Sequence, residues 1–106
     1  MLEKKKVDKI RHELGKKEES RLPVVFNALG DPMRFATFRL LMRHRDICVS
    51  DIANILKVST PAASYQLKML EMVGLIRRER QGKMVCYVIR DDDPLVKSVM
   101  RMTKND

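Results

Sequence analysis

The stretch SDIANILKVSTPAASYQLKMLEMVGLIRRERQGKMVCYVIR, running from Ser50 to Arg90, decides the fold. Ser50 can cap a helix, and Ile52, Ala53, Ile55 and Leu56 follow at helical spacing, which reads as a short helix with one buried face. Lys57-Val58-Ser59 makes a turn. Thr60 is then placed to cap again, and Pro61 takes the first helical position, where its missing N–H costs nothing. Ala63, Leu67, Leu70 and Val73 point back to a core, and Gly74 stops this second helix. Residues 75–80 and 84–89 have the β-branched and aromatic content of strands, with Gly82 in the turn between them. Helix, turn, helix and basic-tipped hairpin, in that order, spell a helix-turn-helix followed by a β-wing, whose second helix fits the major groove of DNA.

The face of that helix turned away from the core carries Ser64, Tyr65 and Lys68, with Gln66 near its edge. Together with Ser59 and Thr60 these are the candidates for base or backbone contacts. The plainer alternative is that Ser59 and Thr60 only cap and that Tyr65 only covers the edge of the core. On the hairpin, Arg77, Arg78, Arg80 and Lys83 are placed to touch phosphates or enter the minor groove, the alternative being a solvated basic hairpin.

Upstream, residues 24–29 form an apolar run ending at Gly30. Asp31-Pro32 then opens a helix in which Met33, Ala36, Thr37, Leu40 and Leu41 form an apolar stripe. Arg39, Arg43, His44 and Arg45 fall in its later turns, where positive charge complements the helix dipole. Downstream, Asp91-Asp92-Asp93-Pro94 starts a last helix whose Leu95, Val96, Val99 and Met100 form a second stripe. Residues 1–21 are a charged N-terminal arm or helix; Val7, Ile10 and Leu14 recur there at helical spacing, and Gly15 interrupts them. Residues 22–106 are expected to form one winged helix-turn-helix domain for DNA binding and dimerisation. The fold class is thus mainly α with a β-hairpin wing and about five or six helices.

The chain has 106 residues, enough for one core and too few for two. Lys and Arg total 22 against 14 Asp and Glu, a formal charge of +8, which favours a polyanionic partner. With no Trp and no long uncharged apolar run, a membrane is the poorer choice and double-stranded DNA the better one. The N-terminal lysines lead into Val7-Asp8-Lys9 rather than an unbroken apolar region, so no secretory signal is read and a cytoplasmic address follows by default. No Ser-His-Asp or Cys-His arrangement and no glycine-rich phosphate loop supports catalysis, and no cofactor is implied.

Residues 22 to 100 resemble the ArsR/SmtB family of winged-helix regulators. The resemblance rests on five pieces in the family's order and spacing: Phe26-Asn27-Ala28-Leu29-Gly30-Asp31-Pro32-Met33-Arg34, Cys48-Val49-Ser50-Asp51-Ile52-Ala53, Ser64-Tyr65-Gln66-Leu67-Lys68-Met69-Leu70, Gly74-Leu75-Ile76, and Gly82-Lys83-Met84-Val85-Cys86-Tyr87. It implies a dimeric transcriptional repressor, and two recognition helices in successive major grooves predict a pseudo-palindromic operator. If the first and last helices build the homodimer, Leu95, Val96, Val99 and Met100 lie in a shared apolar seam, joined by Val7, Ile10 and Leu14 where that stripe packs on a partner; the alternative for residues 1–21 is a frayed basic arm.

The same resemblance implies an inducing metal, metalloid or oxidant, and here the sequence departs from the pattern. Soft-metal sensors of the family carry a Cys-x-Cys pair, because thiolates suit soft cations. Cys48 matches the first position and Ser50 stands at the second. Zinc sensors use Asp-x-His and His-x-x-Glu on the last helix. Asp91 and Asp93 match the first pair with aspartate for histidine, Lys104 replaces the second histidine, and the chain stops before the glutamate. The expectation is therefore no metal site and an inducer the residues do not name. Cys48 and Cys86 stay as possible sensors of an oxidant or metalloid, meeting only if their Cα atoms approach within about 7 Å; otherwise each is a buried apolar cysteine. A winged helix serving protein-protein contact without DNA is the remaining alternative.

Overall fold

Three helices begin on one device, an acceptor side chain followed at once or one residue later by proline. The Asp31 carboxylate accepts from Arg34 N–H at 3.0 Å, Ser59 Oγ from Ala62 N–H at 3.2 Å, and the Asp93 carboxylate from Leu95 N–H at 2.9 Å. The computed structural model describes residues 1–15 and 20–104. Its elements are α1 (Lys4–Gly15), α2 (Leu22–Leu29), α3 (Pro32–Arg43), α4 (Val49–Leu56), α5 (Thr60–Met72), β1 (Ile76–Gln81), β2 (Met84–Ile89) and α6 (Pro94–Thr103).

Two of the expected caps move. Ser59, not Thr60, caps α5, and Thr60 is its first helical residue. At α4 the cap position falls to Cys48, whose N–H donates to the Asp51 carboxylate at 2.9 Å. Asp51, three residues into the helix, reaches back as the acidic half of a capping box does, which leaves Ser50 exposed in the first turn.

The helix-turn-helix is closed at both ends by the same backbone pattern. After α4, Lys57 takes the left-handed conformation at φ +56°, Val58 N–H bonds Ala53 C=O at 3.0 Å and Lys57 N–H bonds Asn54 C=O at 3.4 Å. After α5, Gly74 does the same at φ +81°, with Leu75 N–H on Leu70 C=O and Gly74 N–H on Glu71 C=O. Both are Schellman closures. The second explains why β1 starts at Ile76 and not at residue 75, since the Leu75 N–H is spent on ending the helix. The strands pair antiparallel from Ile76 opposite Ile89 to Gln81 opposite Met84, so Gly82-Lys83 is a two-residue turn with Gly82 at φ +63°.

The core gathers Val25 of α2, Phe38 and Leu41 of α3, Ile52 and Ala53 of α4, Leu67 and Leu70 of α5, Ile76, Tyr87 and Ile89 at the base of the wing, and Val96 and Val99 of α6. Phe38 is buried outside the expected α3 stripe, whose Met33, Ala36 and Leu40 are only half-buried. Ile55, expected inside, is 52% exposed, because the two-turn helix α4 buries only the arc of Ile52, Ala53 and Leu56. Val96 and Val99 are 0% and 1% exposed within the single chain. Val96 and Val99, expected in a dimer seam, are thus enclosed by their own protomer, while Leu95 and Met100 stay half-buried.

α1 is a helix with no buried residue. It accounts for a Cα radius of gyration of 17.7 Å, against about 13 Å for a compact chain of this length. Among the described residues no helix is long and apolar enough to cross a membrane.

Candidate nucleic-acid interface

The packing of α5 fixes which of its side chains face outward. Ala63, Leu67 and Leu70 are buried, and this turns Ser59, Thr60, Tyr65 and Lys68 to solvent, with Ser64 half-buried between them. Tyr65 keeps 56% of its surface, so it does not serve merely to close the edge of the core. Gln66 lies apart from this group. Its Oε1 accepts from Arg34 Nη1 at 3.4 Å, and Arg34 Nε donates to Ala28 C=O at 2.8 Å, so Gln66 is drawn toward α2 and α3. Nothing in the local pattern around Gln66 announced a partner so far away in sequence.

Strand alternation divides the three arginines of the wing, and Lys83 sits in the turn. Arg78 and Arg80 share a face with Ile76, and Arg77 shares the other with Glu79. Arg78 lies 3.4 Å from the Glu71 carboxylate of α5, and its guanidinium sits 5.9 Å from the centre of the Tyr87 ring, so it ties the wing to the helix beside it. Arg77 stands between Glu79 at 3.9 Å and Asp92 at 3.8 Å. Arg80 and Lys83 are exposed near the tip and carry no ion pair among the described residues. Exposed pairs of the Arg77 and Arg78 kind are worth about 0–1 kcal/mol, so a phosphate can replace either carboxylate. The cations at the tip need give up nothing.

The sensing positions are occupied by other work. The Asp91 carboxylate pairs with Arg45, and that of Asp93 takes both Arg21 Nη1 at 2.7 Å and the Leu95 N–H. Lys104 follows α6 with its side chain exposed. Among the described residues no group of three or more His, Cys, Asp or Glu is arranged to hold a metal ion. Cys48 and Cys86, whose approach the sequence left open, are direct partners in an isolated antiparallel bridge that lays a single residue pair against the outer edge of β2. Both are free thiols.

The model of the arsR family of bacterial regulatory proteins matches residues 31–78, from the start of α3 into β1. A cadmium resistance transcriptional regulatory protein CadC homolog of Staphylococcus aureus is 33% identical over 87 residues, covering 82% of this chain and 72% of that protein. The chain belongs to the ArsR family. The arsenical resistance operon repressor of Bacillus subtilis is 31% identical over 82% of this chain and 79% of its own. Among solved structures, an ArsR-like transcriptional regulator from Rhodococcus sp. RHA1 superposes with a TM-score of 0.64 at 26% identity, covering 79% of each chain. A winged helix-turn-helix domain from Mycobacterium bovis, described as homodimeric, gives a TM-score of 0.68 at 20% identity over 98% of this chain and 85% of that one, a likeness of fold. As an ArsR-family winged helix-turn-helix, the protein is a DNA-binding transcriptional regulator and not an enzyme.

Proposed function

We propose that this ArsR-family protein is a homodimeric repressor that reads a pseudo-palindromic operator with α5, grips the flanking backbone with the wing, and has lost the family's metal sites. The observation that carries the reading is the pairing of a solvent-facing polar stretch on α5 with exposed cations at the tip of the adjacent wing. Ser59, Thr60, Ser64, Tyr65 and Lys68 are the reading face. Arg80 and Lys83 are the first phosphate contacts, with Arg77 and Arg78 joining by exchange of partner.

Dimerisation accounts for what the protomer leaves uncovered. α1 exposes Ile10 and Leu14, with Val7 half-buried beside them, and α6 exposes Met102 next to half-buried Leu95 and Met100. A second copy burying these faces would set two recognition helices about 34 Å apart, in successive major grooves. The seam is then the outer face of α6 and the stripe of α1, while Val96 and Val99 support it from within.

The donors present do not suit a resident metal. A soft cation would need thiolates, yet the Cys86 thiol is pushed up to about 11, chiefly by its contact with the Cys48 thiol and then by burial. Ser50 adds only an exposed hydroxyl. At α6 both aspartates are engaged by arginines, and Lys104 brings a positive charge.

Selecting bound sequences from a random duplex library tests the function. An enriched inverted repeat bound by two chains supports it, and a monomer with no sequence preference would not.

A further inference from the structure

We propose that a small organic cation, an ammonium group on a short apolar body, binds in the cleft between the wing and the end of α3 and strengthens operator binding. The cleft has a volume of about 230 Å³. That lies below the roughly 300–1,000 Å³ of sites for drug-sized ligands, so the occupant is small. Leu41 and Met42 of α3 and Val88 of β2 give the cleft apolar lining. Around them stand the carboxylates of Asp46, Glu79 and Asp91 and the guanidiniums of Arg45 and Arg77. Negative groups therefore outnumber positive ones here, on a chain whose formal charge is +8.

These charges are not equally engaged. Arg45 is paired with Asp91, which cancels both. Arg77 stands 3.9 Å from Glu79, at the outer limit of an ion pair, and is shared with Asp92 at 3.8 Å. Asp46 has no ion pair among the described residues. An anion would gain Arg45 or Arg77 only by displacing a carboxylate already beside it. A cation meets Asp46 unopposed and Glu79 only weakly held. An ammonium carries three N–H donors and no acceptor, which suits carboxylates on two walls, Asp46 just after α3 and Glu79 on β1. An apolar body on the amine covers Leu41 and Val88, and an aromatic one gains a contact with the Met42 sulfur.

Glu79 links the cleft to DNA. It shares its face of β1 with Arg77, while Arg78 and Arg80 take the other face. An ammonium bound to Glu79 takes over a carboxylate that otherwise holds Arg77, which then turns to a phosphate at less cost. The ligand also brings one positive charge beside the wing, and this adds to the attraction for the duplex. Both effects make the ligand bind the operator complex better than the free protein. Such a ligand tightens operator binding, and the operator tightens ligand binding by the same factor. This step rests on the proposed DNA-reading function; occupancy of the cleft does not.

The test uses phenethylamine as the probe, with phenylethanol and phenylpropanoate as its neutral and anionic counterparts. Each is titrated near neutral pH into the isotope-labelled full-length protein while backbone amide resonances are followed. Phenethylamine should give saturable shifts centred on Asp46, Glu79 and Val88, and the other two compounds should not. Asp46→Asn combined with Glu79→Gln should weaken the amine by about tenfold or more, through loss of charge-assisted hydrogen bonds. No saturable shift, shifts centred elsewhere, equal binding of the three compounds, or a folded double variant that keeps full amine affinity would each overturn the site. With the cleft saturated, operator affinity should rise by about fivefold over a control with the same concentration of sodium chloride. Unchanged or lower affinity with the amine bound would overturn the coupling, whereas a protein that binds the amine and selects no operator would instead count against the DNA-reading function.

Discussion

The Arg21 guanidinium lies 2.7 Å from the Asp93 carboxylate and joins the start of α2 to the start of α6. Its second nitrogen sits 3.5 Å from Gly74 C=O, so the same side chain also reaches the residue that ends α5. The Asp93 carboxylate, only 11% exposed, thus stands at a junction of three helices. Arg21 holds it below the usual carboxylate range, against the opposing effect of burial and with help from the Leu95 N–H.

A depressed carboxyl pKa implies stability that is present above the unfolded value of about 3.9 and is lost as pH falls through the lower folded value. Thermal melts from about pH 6 down to about pH 3 should therefore show a steeper acid loss for the native protein than for Asp93→Asn, which keeps a capping oxygen but not the charge. Parallel curves would show that the pair adds nothing to stability.

The two DNA-facing surfaces should separate by mutation. Arg80→Ala or Lys83→Ala is expected to weaken all duplexes alike and to reduce the slope of log K against log salt by about 0.9 per lost contact. Ser64→Ala or Tyr65→Phe should chiefly reduce discrimination, by about 1–3 kcal/mol where a base contact is lost. Gln66→Ala should leave discrimination intact and loosen α5 against α3, because its partner is Arg34. Affinity measured on selected and scrambled duplexes at two salt concentrations distinguishes these behaviours, and equal losses on both duplexes for the Ser64 and Tyr65 variants would move the reading face.

Much of the fold was legible because local rules govern it. Asp31-Pro32 and Asp93-Pro94 announce helix starts, Gly74 a stop and Gly82 a tight turn, and each works through its own residues and near neighbours. What escaped depends on distant partners or on a choice between equivalent neighbours. Ser50 and Thr60 are good caps by residue type, yet Asp51 and Ser59 perform those roles because the chain enters the helices one or two residues earlier. The bridge between Cys48 and Cys86 and the bond from Arg34 to Gln66 join segments that only the tertiary fold brings together. An apolar stripe shows that Val96 and Val99 are buried, but not whether the burying surface is their own chain or another.

That distinction yields a prediction about the seam. Leu14→Asp or Ile10→Asp, on the exposed stripe of α1, should give a folded monomer with reduced operator affinity. Val99→Asp should instead destabilise the protomer by several kcal/mol, since it places an unpaired charge in the core. Light scattering with circular dichroism decides the matter. A Leu14→Asp protein that remains fully dimeric would remove α1 from the seam.

Zinc, cadmium and arsenite should leave operator affinity of the reduced protein unchanged. A functioning sensor typically couples by 1–3 kcal/mol, so a response would appear as a change of about fivefold or more. Titration of each ion into the reduced complex is the check, and release by one ion at stoichiometric amounts, abolished in Cys48→Ser, would reveal a site built around that thiol.

The most direct test of operator reading is selection of duplexes from a random pool by the reduced protein, followed by measurement of how many chains bind the winning sequence. The expected result is an inverted repeat with half-sites about 10–10.5 base pairs apart or a multiple of that spacing, two chains per duplex, and affinity that falls steeply with salt. A pool that yields no enriched motif, or a winning duplex held by a single chain, would contradict it.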